Sequence, residues 1–255
     1  ATTEIYTLSR HDALPISGWD FSEMFRRVRP ILAGADLALC HLESPLSMND
    51  DDLSFRGTFR VPSSLADAIA GAGYDGCSLA SNHALDSGPS TVESTLHLQR
   101  PVGLATAGMA HHAEAAGPAW SNPGGIRVPH LSVTDLLHGR DLPTDPPWLV
   151  GHLDVDLVAA NAAAAVDAGA EFVVVSVHRG EEYRIDPTAL QLEAPVRLLG
   201  APDIDLVRGH QQIGRASRRE RGESSVVAGS VKKKTNEQTT PHTTTITQHD
   251  YNCPP

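Results

Sequence analysis

Cysteine is scarce: Cys40, Cys77 and Cys253 are the only three in 255 residues, and they form no CxxC pair and no even-numbered set. A zinc knuckle is therefore excluded, and nothing indicates a disulfide framework. Cys40 and Cys77 fall inside strand-like segments, where they are expected to be small buried apolar groups. Long apolar runs are absent too. No stretch approaches the roughly 18 residues that a spanning helix needs, and residues 1–20 lack the basic start and apolar block of a secretory signal, so no membrane segment is predicted. Basic charge is in deficit, with 20 Lys and Arg against 31 Asp and Glu and a formal net charge of −11. Such a surface repels phosphates, which argues against a nucleic-acid or anionic-membrane partner; an anionic substrate would need a metal.

What is present suffices for a core. A hydrophobic content of 40% over this length fits one large α/β domain or two small ones. The ends do not belong to it. Past Ile213 apolar periodicity stops, giving way to Arg218-Arg219-Glu220-Arg221, Lys232-Lys233-Lys234 and a run rich in Thr, Gln and Asn, the composition of a disordered segment. Ala13-Leu-Pro-Ile16, written as DNA, has a reverse complement that encodes Ile213-Gly-Arg-Ala216. This mirror relation is expected of foreign DNA joined to a gene fragment. The chain thus divides into a non-native or disordered leader (1–17), a partial domain (18–212) and a disordered, non-native tail (213–255).

Within the body, helical and strand patterns alternate. Apolar spacing predicts helices over Phe21–Ala33, Leu65–Ala72 with its stop at Gly71-Ala-Gly73, Pro89–Arg100, Asp154–Gly169 and Pro187–Gly200, the last interrupted by Pro195. Strands are predicted over Ala35–Glu43, Tyr74–Ala80, Arg127–Val133, Glu171–His178 and Ile204–Val207. The β-branched run Val173-Val-Val-Ser-Val177 suits a strand buried on both faces. The alternation predicts a largely parallel, covered sheet. Four strands terminate in or just before a group able to bind a metal: Glu43, Asn82, His178 and His210. Strand ends line the ligand crevice of such sheets, so groups far apart in sequence are expected to converge there. His83, beside Asn82, is placed to protonate a leaving group or hold an oxyanion, and Asp86 either orients His83 or caps the helix at Pro89. Glu181 and Glu182 suit either a solvated turn or hydrogen bonding to a ligating imidazole. His111 and His112, in a polar loop without a third partner, read as surface histidines.

The segments ADLALCHLESPLS (35–47), GYDGCSLASNHALDSG (73–88), VVVSVHRGEEY (173–183) and DIDLVRGH (203–210) together resemble the poly-gamma-glutamate capsule biosynthesis (CapA-type) family, within the calcineurin-like metallophosphoesterase superfamily. The resemblance covers nearly all of residues 18–212. It implies a metallophosphoesterase-type β-sandwich flanked by helices, incomplete at both termini here, with a two-metal site at one sheet edge. Residue by residue it implies that Glu43, Asn82, His178 and His210 are metal ligands and that His83 is the catalytic histidine, with Asp86 beside it. The mixed imidazole, carboxylate and amide set suits Mn, Fe or Zn better than Ca. A phosphoester substrate, unidentified, and capsule-synthesis proteins are the implied partners, and the cell envelope the implied location. Three departures stand out. The family's first strand ending in Gly-Asp is replaced by the leader; Gly209-His210-Gln211-Gln212 lacks the second histidine of the last motif; and His178-Arg179-Gly180 carries arginine where tryptophan is usual. The alternatives are a non-catalytic component of polymer synthesis or export, and an inactive fragment with exposed edges.

Overall fold

The computed structural model describes residues 18–138, 148–180, 188–210 and 228–229. The proposed leader lies outside these residues, as do Glu181 and Glu182; of the tail, Ala228–Gly229 alone is described.

The described residues form two four-stranded sheets rather than the single sheet that alternation predicts, and one edge strand comes from the tail read as disordered. The first has the order β10-β1-β4-β5, built from β1 (Leu37–His41), β4 (Gly76–Ser78), β5 (Ala105–Ala107) and β10 (Ala228–Gly229). The second has the order β6-β7-β8-β9, from β6 (Ala119–Ser121), β7 (Val128–Thr134), β8 (Val174–His178) and β9 (Leu206–His210). Each has three parallel strands and one antiparallel edge, β10 or β6. The parallel part of the prediction therefore holds within each sheet. Which strands share a sheet is not written in periodicity, because every core strand reads as buried wherever it pairs.

Helices cover the sheets. The predicted helix over Phe21–Ala33 is broken into a 3-10 turn, Ser22–Phe25, and a short helix α1, Arg29–Leu32. Pro30, which lacks an N–H, sits at the start of α1, where that donor is not needed. In the next helix, α2 (Leu65–Ala72), Leu65, Ala66, Ile69 and Ala72 are buried, and Gly73 ends it at φ 105°, a conformation glycine adopts without steric cost. Helix α3 (Pro89–Gln99) buries Val92, Thr95 and Leu96, as its spacing predicts. Helix α4 (Val155–Asp167) is capped by Asp154, whose carboxylate accepts from the backbone N–H groups of Asp156 and Leu157. Helix α5 (Ala189–Leu199) starts with a capping box between Thr188 and Gln191 and continues through Pro195, which the sequence reading takes as an interruption.

Four apolar clusters result, the smallest, Leu32, Ala38 and Ala72, packing α1 and α2 against β1. One joins the first sheet to α2 and α3 through Cys77, Leu79, Ile69 and Val92. A second joins the second sheet to α4 and α5 through Val175, Val177, Val158 and Leu198. A third, with Leu37, Val128 and Val174 at its centre, packs β1 against β7 and β8 and so seats the two sheets on one another. Each fully buried valine or leucine contributes about 1.5–3 kcal/mol. A small hairpin, β2 (Ser54–Arg56) with β3 (Thr58–Arg60), stands apart from both sheets.

Cys40 and Cys77 differ from expectation. They lie in register on neighbouring β1 and β4 and form a disulfide, with Cα atoms 4.4 Å apart. Their separation of 37 residues hides this pairing from a spacing argument; only the strand register brings them together.

Candidate functional site

The parallel strands end together. His41 is in register with Ser78, Thr134 with His178, and His178 with His210, so β1, β4, β7, β8 and β9 deliver their last residues to one rim. Just past β1 the chain reaches Glu43, and just past β4 it reaches Asn82 and His83. The Ser81 hydroxyl donates to the Glu43 carbonyl at 2.7 Å, which ties these two exits together.

Glu43 occupies the centre. Its Oε1 lies 3.9 Å from Nε2 of His83 and 3.9 Å from Nε2 of His178. These separations are too long for hydrogen bonds. They fall within the roughly 4.4 Å that two ligands can span when each sits about 2.0–2.2 Å from a common ion. Behind His83, Asp86 Oδ2 accepts from Nδ1 at 2.7 Å and from the Phe59 backbone N–H at 2.6 Å. The Phe59 ring meets His83 edge-on at 4.4 Å, so the β2–β3 hairpin is what braces this side of the pocket. On the other side, the His41 ring stacks on His210 at 4.1 Å and on His178 at 5.0 Å, and its Nδ1 pairs with the Ser78 hydroxyl at 2.9 Å.

Several buried polar atoms at this rim have no hydrogen-bond partner: Asn82 Oδ1, both ring nitrogens of His178, and Nε2 of His41 and of His210. Burial without a partner is costly, which makes the group of atoms fit for a ligand. Burial also pushes the His178 imidazole below its ordinary pKa, against the opposing pull of Glu43. Burial, aided by the Arg208 charge, holds His210 at about 2. His41 is held well below its usual value by burial and by the neighbouring imidazoles of His210 and His178. These rings are neutral at ordinary pH, with lone pairs available, which is the form that ligates.

The sequence-predicted residues are brought together unequally. Glu43 reaches both His83 and His178 at 3.9 Å and Asp86 is bonded to His83 alone among them, whereas His210 joins them through the His41 stack. Asn82 is 3% exposed and stands beside His83 in the chain. Among the described residues, no group of three or more His, Cys, Asp or Glu side chains is arranged to hold an ion. As predicted, His111 and His112 are exposed.

Four functional neighbours escape the sequence reading. His41 precedes Glu43 by two residues, so strand alternation could have placed both on one face. Asp135 directly follows β7 and obeys the same strand-end rule as the others; its Oδ2 pairs with Arg179 Nη2 at 3.1 Å. Phe59 and His138 carry no sequence signal. His138 Nε2 lies 3.1 Å from Nε2 of His83.

Among curated proteins, the capsule biosynthesis protein CapA of Bacillus anthracis is 26% identical over 211 residues, which is 80% of this chain and 51% of that protein. The chain therefore spans about half the length of the relative it matches. Among the described residues no helix is long and apolar enough to cross a membrane. The family described as bacterial capsule synthesis protein PGA_cap matches residues 3–212, and the chain belongs to that family.

Proposed function

We propose that this capsule-biosynthesis family member is a metal-dependent phosphoesterase-like hydrolase with a metallophosphoesterase-type fold. The observation that carries the reading is the Glu43 carboxylate standing 3.9 Å from both His83 and His178, with Asp86 bonded to the far nitrogen of His83. The two seated sheets with outer helices support the fold, and the unpartnered ligating atoms at the rim support the metal.

Glu43, Asn82, His178 and His210 would hold Mn, Fe or Zn, their imidazole, carboxylate and amide donors matching the preference of such ions. A divalent ion there supplies Lewis-acid stabilisation of charge on phosphoryl oxygens. The chain's own contribution is proton transfer and positioning. Asp86 holds the His83 ring through Nδ1, so Nε2 faces the pocket, where in its protonated form it can give a proton to a leaving oxygen. The buried walls around Asn82, His83 and His178 exclude water and strengthen each polar contact. Poly-gamma-glutamate capsule synthesis would be the process served.

The test is turnover of an aryl phosphate by the 255-residue chain loaded with Mn or Zn, beside Asn82→Ala and His83→Ala. The reading expects hydrolysis that both substitutions abolish. Hydrolysis that survives both, or none in the parent, would sink it and favour a non-catalytic role in polymer synthesis or export.

A further inference from the structure

We propose that Arg179 is a substrate-binding residue at this rim: its guanidinium takes two terminal oxygens of a phosphate dianion and makes phosphomonoesters, not diesters, the substrate class. The inference deepens the phosphoesterase reading and rests on it for turnover, though not for the binding of the anion.

Arg179 is the first residue past β8 and directly follows His178. Its backbone N–H donates to the His210 carbonyl at 3.0 Å, so the pairing of β8 with β9 runs one residue beyond the strand. Its guanidinium turns towards the opposite neighbour: Nη2 lies 3.1 Å from Oδ2 of Asp135, the first residue past β7. The residue therefore sits across the ends of three adjacent strands, on the rim where Glu43 meets His83 and His178. Both side chains of the Arg179–Asp135 pair are 22% exposed, open enough for a ligand to reach them and for the pair to add little to stability. Asp135 Oδ1 is buried without a partner, so the contact is one nitrogen on one oxygen. Among the described residues Asp135 is the only side chain paired with this guanidinium. A guanidinium has two edges with paired N–H groups; the single contact occupies one and leaves the other free.

Charge gives the residue its use there. Glu43, Asp86 and Asp135 place carboxylates at this end of the strands, in a chain of net charge −11, and such a surface repels a phosphate unless cations answer it. Arg208 does not serve, because it lies two residues short of the end of β9 and gives Nη1 to the Leu39 carbonyl of β1 at 2.9 Å. Asp135 screens part of the Arg179 charge while holding the fork in place. Arg179 stands where the resembled family usually has tryptophan, whose single indole N–H serves one acceptor; the planar fork of arginine binds two oxygens side by side. A phosphomonoester near neutral pH carries about two negative charges and three terminal oxygens, a diester one charge and two terminal oxygens. With one oxygen engaged elsewhere in the site, a monoester still offers the fork a pair and a diester does not.

The test compares the full chain, loaded with Mn or Zn, with R179W, which restores the family's usual residue, and R179K, which keeps the charge without the fork. Calorimetric titration with inorganic phosphate should show binding in the parent that R179W weakens on the order of 10-fold to 100-fold, the scale of hydrogen bonds to a charged group, with R179K in between. Against p-nitrophenyl phosphate and bis(p-nitrophenyl) phosphate the parent should prefer the monoester, and R179W should lose kcat/KM on the monoester by a similar factor with the diester little changed. Should R179W lack the circular dichroism spectrum of the parent, R179K carries the comparison alone. No phosphate binding by the parent, R179K matching the parent, or equal losses on the two esters would overturn the proposal. If phosphate binding depends on Arg179 but the parent hydrolyses neither ester, the phosphoesterase reading falls and the anion contact stands. If the parent hydrolyses the monoester and neither variant alters its preference over the diester, the role of Arg179 falls alone.

Discussion

His178 and Glu43, 135 residues apart in the chain, face each other with Nε2 and Oε1 separated by 3.9 Å. Neither can hydrogen bond to the other at that distance, and both ring nitrogens of His178 are buried without a partner. In the proposed function, the space between this pair, at the common end of strands from two sheets, is where a metal ion would sit.

Asp86→Asn should separate catalysis from folding. Asp86 accepts from both His83 Nδ1 and the Phe59 backbone; asparagine keeps an acceptor but loses the charge that sets the His83 tautomer. Aryl phosphate turnover is expected to fall on the order of 10²–10⁴-fold, with the circular dichroism spectrum unchanged. The structure gives the helix at Pro89 no side-chain cap, so a variant turning over at the parent rate would show that Asp86 serves only to tie the β2–β3 hairpin through Phe59.

Joining β1 to β4, the Cys40–Cys77 disulfide closes a loop across a separation of 37 residues. Replacing both cysteines by serine should destabilise the fold by about 2–4 kcal/mol, read as a lower urea midpoint. A thiol reductant should lower the midpoint of the parent and leave the double variant alone. Equal midpoints for parent and variant under oxidising conditions would mean that the cross-link does not contribute.

His130 should make the protein acid-sensitive. Burial, with a contribution from the Arg208 charge, takes its pKa from 6.5 down to about 3, so the folded state binds this proton less readily than the unfolded chain. Its stabilising contribution is complete above about 6.5 and is lost as pH falls from there towards 3. His130→Gln, which does not titrate, should flatten the stability curve in that window, as measured by urea unfolding at a series of pH values. Parallel curves for parent and variant would show that His130 is not the source.

Gly76→Ala tests the strand pairing that carries Asn82. A Cβ at Gly76 would lie 2.5 Å from the Ala105 carbonyl oxygen on β5, a clash with backbone that cannot swing aside. A loss of about 1–3 kcal/mol is expected. An unchanged melting temperature would contradict the β4–β5 register.

Much of this was legible in the chain. The run Val173–Val177 announced a doubly buried strand, the spacing of Val92, Thr95 and Leu96 gave the inner face of α3, and the strand-end rule led to Glu43, His83 and His178, which meet. Other features depend on geometry that no local pattern encodes. The division into two sheets follows from which buried strands become neighbours, and the disulfide from register between β1 and β4. His138 reaches its place through an unusual backbone angle at a loop position. His41 and Asp135 were within reach, since alternation before Glu43 and the end of β7 marked them by the same rules used for their neighbours.

The most direct test of the account is metal binding itself. The 255-residue chain and a Glu43→Gln, His178→Ala double variant are dialysed to equilibrium against Mn or Zn and their metal content is determined by elemental analysis. The account predicts about one to two ions per chain in the parent and strongly reduced metal in the variant. A parent that retains no metal, or a double variant that retains as much as the parent, would contradict it.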